Sequence, residues 1–518
     1  MKKFLSLFML LFLTTGLIFA GGDTEGAEEK ILVYGTTDRV IDMDPANSYD
    51  FHTWEIFQNV YAGLLRYEPG TSNIELGIAE SYSANATADV YTFKLRKDIK
   101  FSDGTPVTAE DVKWSVDRTI ALAGDPSWLV TEFVESVDAV DDYTVRFNLK
   151  GPVGFFPYVV INCPYMTINK DIYPEDAVVR DIEELKGGEL IGLGPYKITS
   201  FKRDEEMILE KNPYYYGQEP NIDKIVIRYF ADATTMRLAF EKGELDLVYK
   251  TLNPSDIADL EKNPTFTTFE MSGPYIRYVT FECSESIFKD KVLRQAIAHL
   301  VNRPEICEKV FLNQVKPLYS MVPNGMQWQF ETFKQIGDGE VEKANALLAQ
   351  RGYTASNPLV VDLWYTTAHY GSTEADVAAV LEAQFEKANI EITLKSAEWA
   401  TYRDNWANKV MPLKLMGWYP DYIDPDNYTA SFAGTAASAG SGIFFSDPEW
   451  DALFVKEQQS TDPKEREAIF KQIQEMWIDD VPGVPMFQGN LYVFTKKNVG
   501  GVKIGPPLIF NYEVLTMD

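Results

Sequence analysis

The sequence predicts an α/β protein of two or three domains, and three observations support this. Residues 359–418 alternate strand and helix patterns in the order β-α-β-α-β, which builds a parallel sheet with right-handed crossovers. Residues 79–150 place alternating strand patterns around one capped helix, which indicates a small α+β unit. The chain has 518 residues, too many for a single hydrophobic core.

The N-terminus has the pattern of a secretory signal peptide over residues 1–20. Two lysines precede an apolar run, and small residues close it at Ala20. We expect cleavage there and a mature protein secreted to the periplasm or the outside. The run is close to the shortest length that crosses a bilayer, about 17 residues, so a membrane anchor is the alternative. No cysteine stands at the expected cleavage point, so no lipid anchor is indicated.

The composition is that of an acidic, well-packed protein. The formal net charge is −29, which argues against nucleic acid or an anionic membrane surface as a partner. Aromatic residues make up 13% and hydrophobic residues 45% of the chain, which argues against disorder. Cys163, Cys283 and Cys307 lack metal-ligand spacing, and they leave open one disulfide whose pairing the sequence does not define.

Apolar runs and alternations define the elements of the first half. Predicted strands are residues 30–35, 91–95, 145–149, 225–230 and 245–248. Predicted helices are residues 51–65, 109–120, 234–242 and 291–301, the second opening with a capping pattern at Thr108. Turn residues at 272–274 favour a domain boundary.

The second half contains the β-α-β-α-β run. Predicted strands are residues 359–364, 390–394 and 412–416, with helices at 373–388 and 399–407 between them. Residues 448–480 are predicted as helical. Residues 481–485 indicate a second crossing that returns the chain to the first domain.

The candidate site is the stretch 416–428, which follows the last strand of that run. In open α/β sheets, ligands bind just beyond the carboxyl ends of strands. Asp421 lies there among Trp418, Tyr419 and Tyr422. A carboxylate held among aromatic rings suits a small ligand that carries an amine and apolar bulk.

The acidic residues at the end of this stretch also fit a purely structural role. Asp424 and Asp426 are equally compatible with simple turn chemistry. A calcium loop counted from Asp424 fails, because Tyr428 falls on a ligand position and Thr429 falls where glycine is needed.

Several motifs in order along residues 30–518 resemble the bacterial extracellular solute-binding proteins of family 5, the peptide/nickel type, which serve ATP-driven importers. The first is AES at 79–81 followed by YTFKLRKDIKFSDGTPVTAEDV at 91–112. The others are GLGPY at 192–196, KNPYYYG at 211–217, LRQAIA at 293–298, VNR at 301–303 and the stretch 416–428. Each motif is weak alone, and their ordered succession is specific.

This resemblance implies a two-lobed periplasmic-binding-protein fold of the large type, with a hinge between the lobes. The first lobe would comprise residues 21–60, 191–273 and 486–518, with an inserted α+β subdomain at 61–190, and the second lobe residues 274–485. It also implies a membrane permease with ATPase subunits as partner. We expect a monomer.

The sequence favours a binding protein over an enzyme. It contains three histidines without zinc spacing, no phosphate-binding loop and no nucleophile elbow. We therefore expect no catalytic residues, no cofactor and no metal. A secreted glycoside hydrolase is the alternative of a different class, since a carboxylate pair could hide among the many acidic residues.

The resemblance implies that Asp421, three residues after Trp418, holds the α-amino group of a peptide. A buried ammonium needs a paired carboxylate. Dipeptide-binding relatives also carry an arginine just before the helix expected at 373–388, where it pairs with the peptide carboxylate. Residues 366–371 contain no arginine, so peptide length stays open. A protonated His369 could meet a carboxylate instead.

Oligosaccharides are the alternative ligand, since some relatives stack sugars on tryptophans. Trp364, Trp399, Trp406 and Trp418 could form such a platform, although core packing is the competing expectation for Trp364 and Trp406. A metal chelate is a weaker third choice. The predicted ligand contacts are Asp421, Trp418, Gly417, Tyr419, Tyr370, His369 and Trp399.

Overall fold

The structure is a computed structural model that describes residues 29–367 and 369–518. The predicted signal peptide lies outside these residues. Up to residue 149 the elements are β1 (Ile31–Thr36), α1 (Phe51–Val60), β2 (Leu65–Tyr67), β3 (Ile74–Leu76), β4 (Ala79–Ala84), β5 (Val90–Leu95), α2 (Ala109–Leu122), α3 (Trp128–Thr131), β6 (Val134–Asp141) and β7 (Thr144–Leu149).

The chain then returns to the sheet of the first lobe. The elements are α4 (Phe156–Val159), β8 (Tyr196–Lys202), β9 (Glu206–Lys211), β10 (Lys224–Tyr229), α5 (Ala233–Glu241), β11 (Leu247–Tyr249), α6 (Pro254–Glu261) and β12 (Phe266–Phe281).

The remaining elements form the second lobe and then return to the first. They are α7 (Lys291–Leu300), α8 (Arg303–Phe311), β13 (Val315–Pro317), α9 (Val341–Gln350), β14 (Leu359–Thr366), α10 (Glu374–Phe385), β15 (Ile390–Ala397), α11 (Trp399–Ala407), β16 (Leu413–Trp418), α12 (Ala430–Ala433), α13 (Thr435–Gly440), α14 (Pro448–Gln459), α15 (Pro463–Asp480), β17 (Gly483–Lys496), β18 (Val499–Gly500) and β19 (Thr516–Met517).

The two long antiparallel strands β12 and β17 connect the lobes. The sheet order is β15-β14-β16-β12-β17-β11-β1-β10-β9-β8, and β13 also pairs with β17. The first lobe uses one end of β12 and β17, where β17 pairs with β11. The second lobe uses the other end, where β12 pairs with β16. The expected boundaries at 273/274 and 485/486 therefore fall inside the two connecting strands.

The turn residues at 272–274 lie in an irregular part of β12 rather than in a turn between domains. The pairing of β12 with β17 shifts register between Ser272 and Ile276. Gly273 and Pro274 occupy this interval, and proline is tolerated at such an irregularity because it has no N–H to donate to the ladder.

Two large hydrophobic cores follow this division. The first joins the first lobe to the small four-stranded sheet β4-β5-β7-β6 and α2. The predicted capping pattern at Thr108 is confirmed, since Thr108 and Asp111 form a reciprocal capping box at the start of α2. The second core fills the second lobe. The predicted parallel pairing is also confirmed, because β14 lies parallel to both β15 and β16.

The prediction that residues 448–480 are helical is confirmed, with one interruption. The stretch 448–480 forms two helices, α14 and α15, separated at Ser460–Asp462. Asp462 caps α15, and Pro463 occupies its first position. Proline is favoured there but does not continue a preceding helix, because its ring clashes with the earlier turn.

The three cysteines, all within the described residues, are buried and free. The disulfide that the sequence left open is therefore not formed there. Within residues 29–367 and 369–518, no helix is long and apolar enough to cross a membrane. The same residues contain no cluster of three or more His, Cys, Asp or Glu side chains suited to a metal ion.

Candidate functional site

The backbone leaves the sheet directly after β16 and forms an irregular segment. Pro420 has no N–H, so it does not donate to a strand ladder. The Asp424 side chain accepts a hydrogen bond from the Asp426 N–H at 3.0 Å and opens a short 3₁₀ turn over Pro425–Tyr428. These features hold the segment beyond the strand end, where Asp421 meets the first lobe.

Asp421 lies at the interface between the two lobes and is only 7% exposed. Tyr49, from the first lobe, donates its hydroxyl to Asp421 Oδ1. The Asp421 N–H donates to Asn427 Oδ1 at 3.0 Å. Asp421 Oδ2 is buried and has no hydrogen-bond partner among the described residues. One oxygen of a buried carboxylate is thus left without a donor.

The electrostatic environment of Asp421 disfavours its charged form. Burial raises the pKa of Asp421 to about 6, against an ordinary value of 3.8. The hydrogen bond from Tyr49 and the polar side chain of Asn427 act in the opposite direction on this pKa but do not offset burial. A cationic partner would restore the ionised carboxylate, because an opposite charge at close range stabilises it.

A small cavity opens beside Asp421. Its volume is about 30 Å³, enough for a water or two. The apolar part of its wall includes Phe51, Trp54 and Ile423, and Gln58 adds a polar group. A larger ligand needs the lobes to separate.

Aromatic rings close the interface around this cavity. The Tyr419 ring lies 5.1 Å from the Tyr275 ring and 5.1 Å from the Phe51 ring of the first lobe. Tyr422 stacks on Phe155 at 5.3 Å, with ring planes 11° apart. Such pairs contribute about 0.5–1.5 kcal/mol each beyond area burial, so the two that cross the interface, Tyr419 with Phe51 and Tyr422 with Phe155, favour the closed arrangement.

Arg277 is a candidate site residue that the sequence patterns did not indicate. It lies on β12 directly opposite Gly417 of β16. Its guanidinium carbon is 4.2 Å from the centre of the Tyr370 ring, 5.3 Å from that of Tyr275 and 5.5 Å from that of Tyr419. A Cβ atom on Gly417 would overlap the guanidinium. Arg277 therefore brings the predicted residues Gly417, Tyr419 and Tyr370 together.

One edge of β16 is open next to this cluster. Strand β14 pairs with only the first two residues of β16. Beyond them, Tyr402 donates its hydroxyl to the Leu415 carbonyl at 2.8 Å, and Tyr370 donates to the Gly417 carbonyl at 3.1 Å. A strand edge whose carbonyls are covered by side-chain hydroxyls can accept the backbone of an extended peptide when such a side chain moves.

His369 and Trp399 form a second group near the same loop. Their rings lie 3.5 Å apart and are almost parallel. Burial, together with the positive charges of Arg277 and Arg403, lowers the pKa of His369 to about 4. This environment favours the neutral imidazole, and a contact between His369 and a ligand stays a prediction. One face of Trp399 is already covered.

Trp418 is directed toward its own lobe. Its indole N–H donates to Asn427 Oδ1 at 3.0 Å, and its ring packs edge-on against Phe432 at 5.0 Å. Asn427 also accepts the Asp421 N–H. Trp418 therefore helps to position the Asp421 segment, and its contact with a ligand stays a prediction.

Asp424 and Asp426 have structural contacts. Arg466 donates to both oxygens of Asp424 at 2.7 Å and to Glu457 at 2.7 Å. Tyr422 donates its hydroxyl to Asp426 at 2.5 Å. These bonds and the capping of the 3₁₀ turn support the structural alternative for the two carboxylates.

One known protein family matches most of the chain. The family described as bacterial extracellular solute-binding proteins, family 5, middle part, matches residues 73–440. This match covers well over half of the chain, and it includes Arg277, Tyr370 and Asp421.

Individual relatives match over nearly the whole length. The probable D,D-dipeptide-binding periplasmic protein DdpA of Escherichia coli is 25% identical over 94% of each chain. The periplasmic oligopeptide-binding protein OppA of Escherichia coli is 27% identical over 94% of this chain and 92% of its own. The solved structure of the periplasmic binding protein DppA from Helicobacter pylori in complex with the peptide STSA is 25% identical, with a TM-score of 0.79 over 94% of this chain and 98% of that chain. The predicted two-lobed fold is confirmed by this likeness.

Proposed function

The chain belongs to family 5 of the bacterial extracellular solute-binding proteins, and from this premise we propose that it captures peptides between its lobes and delivers them to a membrane permease with ATPase subunits. The family consists of solute-binding proteins, in agreement with the prediction that the chain is not an enzyme. The relatives DdpA and OppA are named for binding dipeptides and oligopeptides.

The unpaired oxygen of Asp421 is the observation that carries the proposal. A buried carboxylate with one oxygen lacking a donor is costly unless a cation completes its hydrogen bonding. The α-ammonium of a peptide provides three donors and a positive charge. Its arrival would lower the pKa of Asp421 again and recover the desolvation cost.

The neighbouring groups also suit a peptide better than an oligosaccharide. Beyond its first two residues, β16 has no strand partner on the β14 side, and an extended peptide backbone could replace the Tyr370 hydroxyl at the Gly417 carbonyl. The tryptophans that a sugar would need are engaged, since Trp399 is covered by His369 and Trp418 packs against Phe432. We therefore favour peptides over oligosaccharides as the ligand, and ligand titration distinguishes the two classes.

Binding would require the lobes to open and close. Strands β12 and β17 connect the lobes, and the irregular interval of β12 at 273–275 would absorb the bend. Contacts such as Tyr49 with Asp421 would break on opening and form again around the ligand.

The cellular setting follows from the N-terminal segment and from the relatives. The protein would be exported by residues 1–20, cleaved near Gly21 and released as a monomer without a lipid anchor. The names of the relatives DdpA and OppA place those proteins in the periplasm.

Calorimetric titration of Asp421→Asn tests the proposal. Loss of one partner of a buried charge pair costs roughly 3–5 kcal/mol. We therefore expect peptides with a free amino terminus to bind about two to three orders of magnitude more weakly to the variant. N-acetylated peptides should bind weakly to both proteins. Asp404→Asn, at an exposed position of α11, is the matched control and should bind as the parent does.

Two outcomes would contradict the proposal. A folded Asp421→Asn protein that binds free-amine peptides as tightly as the parent would remove the amine anchor. Binding of oligosaccharides but of no peptide would establish the alternative ligand class.

A further inference from the structure

A short loop of the inserted subdomain meets the second lobe outside the cavity beside Asp421. This loop, residues 150–155, connects β7 to α4. Its Gly154 N–H donates to the Gln458 carbonyl at 3.0 Å. Gln458 lies in the last turn of α14, at the junction with α15. The two lobes are thus joined here by a hydrogen bond between backbone groups, which requires no particular side chain.

Aromatic rings strengthen the same contact. Phe155 of the loop stacks on Tyr422 of the second lobe, and Phe133 meets the same ring edge-on at 6.3 Å. Tyr422 is 4% exposed and Ile423 is 6% exposed, and both pack within the hydrophobic core of the first lobe. The core of the inserted subdomain therefore continues across the interface when the lobes are closed.

The subdomain holds the loop in place from its own side. The Val153 N–H donates to the Ala88 carbonyl at 3.0 Å, and the Tyr91 hydroxyl donates to the Val153 carbonyl at 2.8 Å. Phe155 also packs edge-on against Phe133 at 5.9 Å. Because all of these partners belong to the inserted subdomain, opening of the lobes leaves these contacts intact.

The second lobe links the two residues that the loop contacts. The Gln458 side chain donates to Asp426 Oδ1 at 3.1 Å, and the Tyr422 hydroxyl donates to Asp426 Oδ2 at 2.5 Å. Tyr422 directly follows Asp421 in the chain and lines the cavity beside it. A loop that fixes Tyr422 therefore also fixes the segment that carries the proposed amine anchor.

We propose that the 150–155 loop is a latch that holds the Asp421 segment in its closed position, with Gly154 and Phe155 as positioning residues that determine how long a captured peptide stays bound. The inference rests on the proposed function, because it assumes a ligand at Asp421. Neither residue lines the cavity beside Asp421, so both act through Tyr422 rather than on the ligand. The latch gives the inserted subdomain a role in the retention of the ligand.

Gly154 allows the latch to be tested without removal of a ligand contact. A Cβ atom at this position would lie 2.5 Å from the Ser460 carbonyl oxygen across the interface, so the closed form would have to shift. The backbone of Gly154 lies outside the left-handed region, so alanine is unstrained once the lobes separate. Gly151→Ala is the matched control in the same loop, because a Cβ atom there meets nothing within 4 Å.

The first experiment measures how fast peptides associate and dissociate. Free-amine peptides of two to five residues are titrated calorimetrically, and the rate constants of the tightest one are measured by stopped-flow tryptophan fluorescence. We expect Gly154→Ala to bind this peptide about 10- to 100-fold more weakly. The loss should appear in the dissociation rate, because the variant opens more readily while the site itself is unchanged. Phe155→Leu, which loses the stacked ring, should release the peptide about 2- to 10-fold faster than the parent.

Small-angle X-ray scattering of the ligand-free proteins tests the latch without any peptide. At pH 4.5, below the pKa of Asp421, this side chain is buried without a charge, so the parent should be closed. Gly154→Ala should then have a larger radius of gyration than the parent, and Gly151→Ala should have the same radius. Circular dichroism and thermal unfolding establish that each variant is folded.

The outcomes separate the latch from the proposed function. A folded Gly154→Ala protein that releases the peptide no faster than the parent, or a Gly151→Ala protein that loses as much affinity, would overturn the latch and leave peptide capture intact. A parent that binds none of the peptides would overturn the proposed function. The ligand-free radii then decide the latch, and equal radii of Gly154→Ala and the parent would count against it. Faster release by Gly154→Ala and Phe155→Leu, with Gly151→Ala unchanged, supports the inference.

Discussion

Replacing Asp421 by asparagine should stabilise the closed arrangement of the ligand-free protein at neutral pH. In the closed structure the pKa of Asp421 is about 6, and in an open protein the exposed carboxyl should return to about its ordinary 3.8. The closed form therefore binds the proton more tightly. The free energy that favours the closed form over the open form is largest below about pH 4. It declines as the pH rises through 6, because Asp421 must then be buried as a charge.

The size of this effect follows from the shift. Two pKa units correspond to about 3 kcal/mol, since each unit is worth about 1.4 kcal/mol. Between pH 4 and pH 7 the ligand-free equilibrium should move toward the open form by about 100-fold. Asp421→Asn retains an acceptor for the Tyr49 hydroxyl but cannot ionise, so it should remain more closed across this range.

Small-angle X-ray scattering measures the change. The parent should have a larger radius of gyration at pH 7.5 than at pH 4.5, and Asp421→Asn should show the smaller radius at both. A saturating peptide with a free amine should compact the parent at pH 7.5. Equal ligand-free radii of the parent and the variant at both pH values, with both proteins folded, would contradict the role of Asp421 ionisation in opening.

Two further predictions concern stability and processing. Arg466→Met should lower the free energy of unfolding, measured in urea titrations, by about 3–5 kcal/mol, because Asp424 and Glu457 would stay buried without their cation. The control Lys471→Met, at an exposed position, should change the free energy of unfolding by less than about 0.5 kcal/mol. N-terminal sequencing of the exported protein should begin within a few residues of Gly21, and a start at Met1 in a membrane fraction would contradict a cleaved signal.

Local patterns predicted those parts of the fold that depend on neighbouring residues. Helix α11 begins and ends where its apolar spacing indicated, and the capping box of α2 was evident from Thr108 and Asp111. The break at Pro463 carried a local signal as well, since proline at the first position of a helix ends whatever precedes it.

The site was only half predictable, because its partners are distant in sequence. Asp421 was indicated by its place after a strand and by the family resemblance, but Tyr49, which donates to it, lies 372 residues away. Arg277 stands in an alternating strand pattern, where a single arginine is typical of a solvent-facing position. Only the pairing of β12 with β16 shows that it faces Gly417 and the tyrosine rings.

The most direct test of peptide capture is the identity of the ligand that accompanies the protein from its native compartment. The protein would be purified without denaturation, its bound ligand released by acid and analysed by mass spectrometry, with Asp421→Asn prepared in parallel. Peptide capture predicts peptides with a free amino terminus in the parent, and far less of them in the variant. An oligosaccharide in the parent, or the same peptides in equal amounts in both proteins, would contradict it.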